Sequence, residues 1–80
     1  MRGGLRVLSG AEVVDNLAAY GFVVVAGTKH LKLRRSALDS TETLIVPNHD
    51  PIAKGTLRAI FVQASRYIPQ AELRPHFYNE

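Results

Sequence analysis

Eighty residues make one small domain, because two would need well over ~100 residues; a two-domain enzyme is excluded. Hydrophobic residues make up 46% and charged residues 21%, an ordinary globular balance that a disordered chain would not show. Ten Lys and Arg against seven Asp and Glu give +3, which favours a polyanionic partner, and the absence of cysteine excludes disulfides and thiolate zinc sites. The longest apolar run, Phe22 to Ala26, is far short of the ~18 residues that cross a bilayer, so the expectation is a cytoplasmic protein with no membrane partner.

The first helix is announced by Ser9 and Glu12, which together spell a capping box, with Leu8 and Val13 placed as a hydrophobic staple. At about 100° per residue, Val13, Val14, Leu17, Ala18 and Tyr20 fall on one side, and Gly21 supplies the stop. Phe22 to Ala26, apolar and β-branched, reads as a buried strand that ends at a Gly27-Thr28 turn. His30 to Arg35 alternates and reads as a second strand. The polar loop Ser36 to Thr41 separates it from a third, Thr43 to Val46, which Pro47-Asn48-His49-Asp50-Pro51 closes.

From about Gly55 the period becomes helical again, with Leu57, Ile60, Phe61 and Ala64 on one stripe and Lys54, Arg58 and Ser65 on its flank. Past Tyr67, Pro69 and Pro75 permit at most a helical turn from Gln70 to Arg74 before a loose ending. The expected fold class is therefore α+β, in the order α-β-β-β-α: a three-stranded antiparallel sheet with two helices on one face. One domain spans 1–80, with its core at about 8–66 and a tail at 67–80.

The second strand carries the chemistry. A period of two sets His30, Lys32 and Arg34 on one face, with same-face neighbours roughly 6.5–7 Å apart, and Leu31 and Leu33 on the other. The leucines must face the helices, so the His-Lys-Arg row faces water. A solvated strand face is the ordinary meaning of such a row, yet an imidazole set among Lys29, Lys32 and Arg34 also suits a proton acceptor. Lys29, Lys32, Arg34 and Arg35 place four cations in seven residues, which predicts one strongly positive edge.

Elsewhere the signals are thinner. His49 lies in a turn whose Asn48 and Asp50 are explained by turn chemistry, and His76 beside Pro75 reads as a solvated tail residue. No histidine or acidic spacing suits a metal. Lys54-Gly55-Thr56 has the wrong order for a phosphate loop. Lys54 and Arg58, next to the free amides of a helix start, could still contact phosphates, and the two basic clusters together suit an RNA backbone.

Several segments together resemble a known family: Leu8-Ser9-Gly10-Ala11-Glu12-Val13-Val14, Tyr20-Gly21-Phe22-Val23, Thr28-Lys29-His30-Leu31-Lys32-Leu33 and Ile45-Val46-Pro47-Asn48-His49, followed by Ile52-Ala53-Lys54-Gly55-Thr56-Leu57-Arg58-Ala59-Ile60 and Gln63-Ala64. Over about residues 8–65 the chain is similar to the HicA (YcfA-like) mRNA interferase toxins. The third strand with its Val-Pro-Asn-His end, followed at this spacing by Lys-Gly-Thr-Leu-Arg, carries most of the likeness.

The resemblance implies a double-stranded-RNA-binding-like fold, metal-independent mRNA cleavage, a catalytic histidine on the second strand and a HicB-type antitoxin. That histidine corresponds to His30, with Lys29 standing between Thr28 and His30 where the family usually has its histidine directly after Gly-Ser or Gly-Thr. The leading expectation is thus an endoribonuclease toxin without cofactor or metal: His30 catalytic, Lys29, Lys32, Arg34, Lys54 and Arg58 on phosphates, and Thr28 and His49 as secondary candidates. The alternative is a catalytically silent RNA-binding module of the same fold. A plain protein-interaction domain is a third class, in which the basic row serves solubility or an acidic partner.

Overall fold

The computed structural model describes residues 4–79. Helix α1, Gly10–Ala18, starts with the expected capping box: the Glu12 amide donates to Ser9 Oγ at 3.1 Å and the Ser9 amide to Glu12 Oε1 at 2.8 Å. It stops where Gly21 takes a φ of +94°, a left-handed conformation that a side chain would strain. Strands β1 (Val23–Ala26), β2 (His30–Ser36) and β3 (Thr41–Pro47) form an antiparallel sheet in sequence order, and helix α2, Lys54–Ala64, packs against β3.

The expected α-β-β-β-α order and α+β class are what the structure shows. Pairing of Leu33 with Leu44 and of Leu31 with Val46 turns one sheet face toward the helices. Leu33, Leu44 and Val46 are buried there against Val13 and Leu17 of α1 and Leu57, Ile60, Phe61 and Ala64 of α2. The opposite, outer face carries His30 beside Pro47, Lys32 beside Ile45 and Arg34 beside Thr43. Period two does this: once the leucines are drawn inward, their neighbours must point out.

Two expectations are corrected. The run Phe22 to Ala26 is not a buried strand: Phe22 is buried, but Val23, Val24 and Val25 are 58%, 44% and 46% exposed. As the first strand of the sheet, β1 has a neighbour on one side alone, and its register with β2 shifts between Val24 and Ala26. Apolar composition could not reveal an edge.

The chain also does not loosen after Arg74. A third helix, α3, runs Gln70–Phe77 and buries Leu73 and Phe77, together with Ile68 just before it, against the main core. Pro69 stands at its N-cap and Pro75 lies inside it, where the ring removes one hydrogen-bond donor. Burial of two large apolar side chains, worth ~1.5–3 kcal/mol each, outweighs that loss. The Pro75 carbonyl accepts from Arg6 Nε at 3.1 Å, and the Arg6 amide donates to the Phe77 carbonyl, so the segment before α1 straps α3 down. His76 is accordingly half-buried rather than solvated, its Nε2 3.1 Å from the Tyr20 hydroxyl.

Candidate active-site groove

A groove of about 310 Å³ runs between the β3 side of the sheet and α2. His30, Ile45 and Pro47 line it from the sheet, His49 from the turn after β3, and Thr56, Ala59 and Gln63 from α2. Both exposed histidines, one at the start of β2 and one in the turn after β3, therefore open onto one cavity.

Backbone geometry brings them there. In the β1–β2 turn Gly27 has a φ of +100°, and a Cβ at this position would collide with the His30 carbonyl, so the turn that presents His30 requires glycine. Asn48 ties this turn to the next one: its amide donates to the Lys29 carbonyl at 2.8 Å and its Nδ2 to the Thr28 carbonyl at 3.1 Å. On the far side the Gly10 amide donates to the His49 carbonyl at 2.8 Å, and a Cβ on Gly10 would lie 2.5 Å from the Pro47 carbonyl oxygen. The start of α1 thus presses the His49 turn into place, through a contact that only glycine allows.

The remaining candidates are divided by the fold. Lys29 is exposed in the β1–β2 turn, Lys32 is half-buried on the outer face, and Arg34 is exposed beyond it. Lys32 and Arg34 share the outer face of β2 with His30, and Lys29 directly precedes His30 in the turn. Thr28 contributes its backbone carbonyl, as the acceptor for Asn48. Lys54 and Arg58 are exposed on α2 but do not line the groove. At 100° per residue they project about 140–180° around the helix from Thr56 and Gln63, so this basic pair points away from the groove that His30 lines.

Arg35 leaves the positive edge altogether. It points to the helix side of the sheet, where Nε donates to Glu42 Oε1 at 2.7 Å and the terminal nitrogens donate to the carbonyls of Tyr20 and Tyr67 at 2.9 and 3.0 Å. Its guanidinium lies 4.9 Å from the centroid of the Phe22 ring. This arginine joins the end of α1, the sheet and the segment after α2; it is a clamp and not a phosphate ligand. Gly10, Asn48 and Gln63 are the residues that sequence reading left out of the site. Asn48 alone carried a usable hint, since an Asn in a tight turn commonly bonds nearby backbone.

Among the described residues no three His, Cys, Asp or Glu side chains gather as a metal-ligand set, and no helix is long and apolar enough to cross a membrane. The fold and the groove define a small α+β protein that offers two imidazoles and an adjoining row of cations on an exposed sheet face. A family model described as HicA toxin of bacterial toxin-antitoxin matches residues 10–65, from the first residue of α1 to just past the end of α2. The chain belongs to this HicA toxin family; its role is that of a toxin, and a cognate antitoxin is its partner. Searches among curated proteins and among solved structures return no match. Helix α3 lies beyond the matched region.

Proposed function

We propose that this toxin is a metal-independent endoribonuclease that cleaves mRNA, with His30 as a catalytic residue. One observation carries the reading: His30 is exposed at the mouth of the groove and shares the outer face of β2 with Lys32 and Arg34. Cleavage by attack of a ribose 2′-hydroxyl on the adjacent phosphorus needs removal of the hydroxyl proton, stabilisation of the added negative charge on the phosphorane, and a proton for the departing 5′-oxygen. His30 exchanges a proton in this sequence. Lys29, Lys32 and Arg34 hold the scissile phosphate and its neighbours, and Lys54 and Arg58 are left to meet more distant phosphates on the other side of α2.

The same surface suits an inhibitor. A HicB-type antitoxin that covers the His30, Lys32 and Arg34 row blocks substrate phosphate and proton transfer together, with carboxylates setting register and the exposed Val23 and Ile45 on the same face supplying apolar contact. Hydrogen exchange of the segment 28–35 in the purified complex and in the free toxin reports this directly, and protection confined to residues past Tyr67 excludes it.

The enzymatic reading is tested by incubating purified toxin with mRNA, with and without EDTA, beside His30→Ala. Cleavage that survives chelation and disappears in the variant supports it. Cleavage by the variant at the wild-type rate removes His30 from catalysis, and loss on chelation restored by a divalent ion overturns the metal-free mechanism.

A further inference from the structure

We propose that His49 is the second proton-transfer group of this site, so that His30 and His49 act as an acid–base pair across the groove. The inference rests on the ribonuclease reading above and identifies the group that reading lacks. A 2′-hydroxyl attack needs one group to take a proton and another to deliver one. Imidazole is the side chain best suited to either task near neutral pH. The groove is lined by two of them and by no other titratable side chain.

Their placement is built rather than incidental. His30 opens β2 directly after the β1–β2 turn and His49 lies in the turn after β3, and the hydrogen bonds of Asn48 to the carbonyls of Thr28 and Lys29 fasten those turns to each other. The Gly10 amide holds the His49 backbone by its carbonyl, which leaves the imidazole free to face the cavity. Turn chemistry explains Asn48 and Asp50, but it does not require an aromatic base between them.

The charged groups nearest the pair on their own segments are Lys29 before His30, Lys32 next along the outer face and Asp50 after His49, whereas Lys54 of α2 does not line the groove. Glu12, on the helix that presses against the turn, is engaged by the Ser9 amide. Thr56, Ala59 and Gln63, which α2 turns to the groove, are uncharged.

In the proposed step one imidazole removes the 2′-hydroxyl proton as the new O2′–P bond forms. The other donates its proton to the 5′-oxygen as the P–O5′ bond breaks. The products are a 2′,3′-cyclic phosphate and a 5′-hydroxyl, and the two histidines end with their protonation states exchanged. No oxidant, reductant or further reactant is consumed.

The test uses the whole toxin and two RNA substrates of the same sequence, one natural and one with sulfur replacing the bridging 5′-oxygen at the cleaved position, since a thiolate leaves without being protonated. His30→Ala, His49→Ala and His49→Gln are compared with wild type, and circular dichroism melts confirm that each folds. On natural RNA each variant is expected to cleave about 10²–10⁴-fold more slowly, the usual worth of a general acid or base. The sulfur substrate should restore whichever of His30→Ala and His49→Ala has lost the donor, and leave the other slow. The pH–rate profile of the wild type should have two limbs and that of each variant one.

If folded His49→Ala and His49→Gln cleave natural RNA at the wild-type rate while His30→Ala does not, the pair is wrong and the ribonuclease reading stands. Sulfur rescue of both variants, or of neither, also overturns the pair. A wild-type toxin that leaves both substrates intact instead overturns the ribonuclease reading itself.

Discussion

The two ends of β2 treat polar side chains in opposite ways. At the Ser36 end, Arg35 is engaged by Glu42, by two backbone carbonyls and by the face of Phe22, so its charge is spent inside the molecule. At the His30 end, the imidazole and the neighbouring Lys29 are exposed, and the order lies in the backbone beneath them: Gly27, Asn48 and Gly10 fix the turns while the side chains remain available. Arg34 and Arg35 are adjacent in sequence, yet one belongs to the surface and the other to the fold. A charged residue on a strand is thus assigned by the face it occupies and by who meets it there. A site, in turn, is a place where rigidity is supplied by groups other than the reactive ones.

Substitutions can break this contrast, and the sharpest is at the His30 end. His30→Ala is expected to lower cleavage by about 10²–10⁴-fold in an RNA gel assay. Its melting free energy should stay within roughly 0.5 kcal/mol of wild type, because an exposed side chain is removed. A large loss of stability would place His30 with Arg35 among the structural residues.

Arg35→Ala is expected to do the reverse. It leaves Glu42 and the Tyr20 and Tyr67 carbonyls without their donor, which should cost about 2–3 kcal/mol in a denaturant titration. Residual cleavage should follow the folded fraction. A folded Arg35→Ala that has lost RNA binding would return this residue to the positive edge.

Gly10→Ala probes the backbone under the site. The added methyl meets the Pro47 carbonyl, so the turn must shift, at an overpacking cost of about 1–3 kcal/mol. Cleavage should fall further than the loss of folded protein explains, since His49 moves with its turn. Full activity in the remaining folded fraction would show that the turn's position is immaterial.

The smallest effects belong to single surface cations. Affinity for an uncleavable RNA should fall with salt at a log–log slope of roughly −2 to −4, and Arg34→Ala should flatten it by about 1. Arg58→Ala, on the other side of α2, should weaken binding without changing the cleavage rate at saturating RNA. A saturating rate that drops in Arg58→Ala would put that residue at the scissile phosphate despite its side of the helix.

Much of this architecture was legible from local chemistry. Ser9 and Glu12 mark a helix start because their reciprocal bonds satisfy amides that no helix can satisfy itself. The alternation of β2 assigns faces because a strand has only two. The outward row of His30, Lys32 and Arg34 follows from Leu31 and Leu33 alone, and the likeness to the HicA toxins is carried by segments that lie within α1 to α2.

What the chain order could not tell was decided by neighbours distant in sequence. The exposure of Val23 to Val25 depends on β1 having no strand beyond it. The helix around Pro75 exists because Leu73 and Phe77 find a core to fill. His76 is drawn in by Tyr20, 56 residues away, and Arg35 by partners as much as 32 away. The meeting of His30 and His49 in one groove is of this kind. Each was visible as a residue type, His30 on a strand and His49 in a turn, but bringing them together depends on Asn48 bonds that form when β3 pairs with β2 and on a Gly10 bond that forms when α1 packs against the turn after β3. Local sequence sets which conformations are cheap and which side chains face outward; long-range packing sets which of those side chains become neighbours, because only burial and hydrogen bonding across the fold offset the entropy of holding distant segments together.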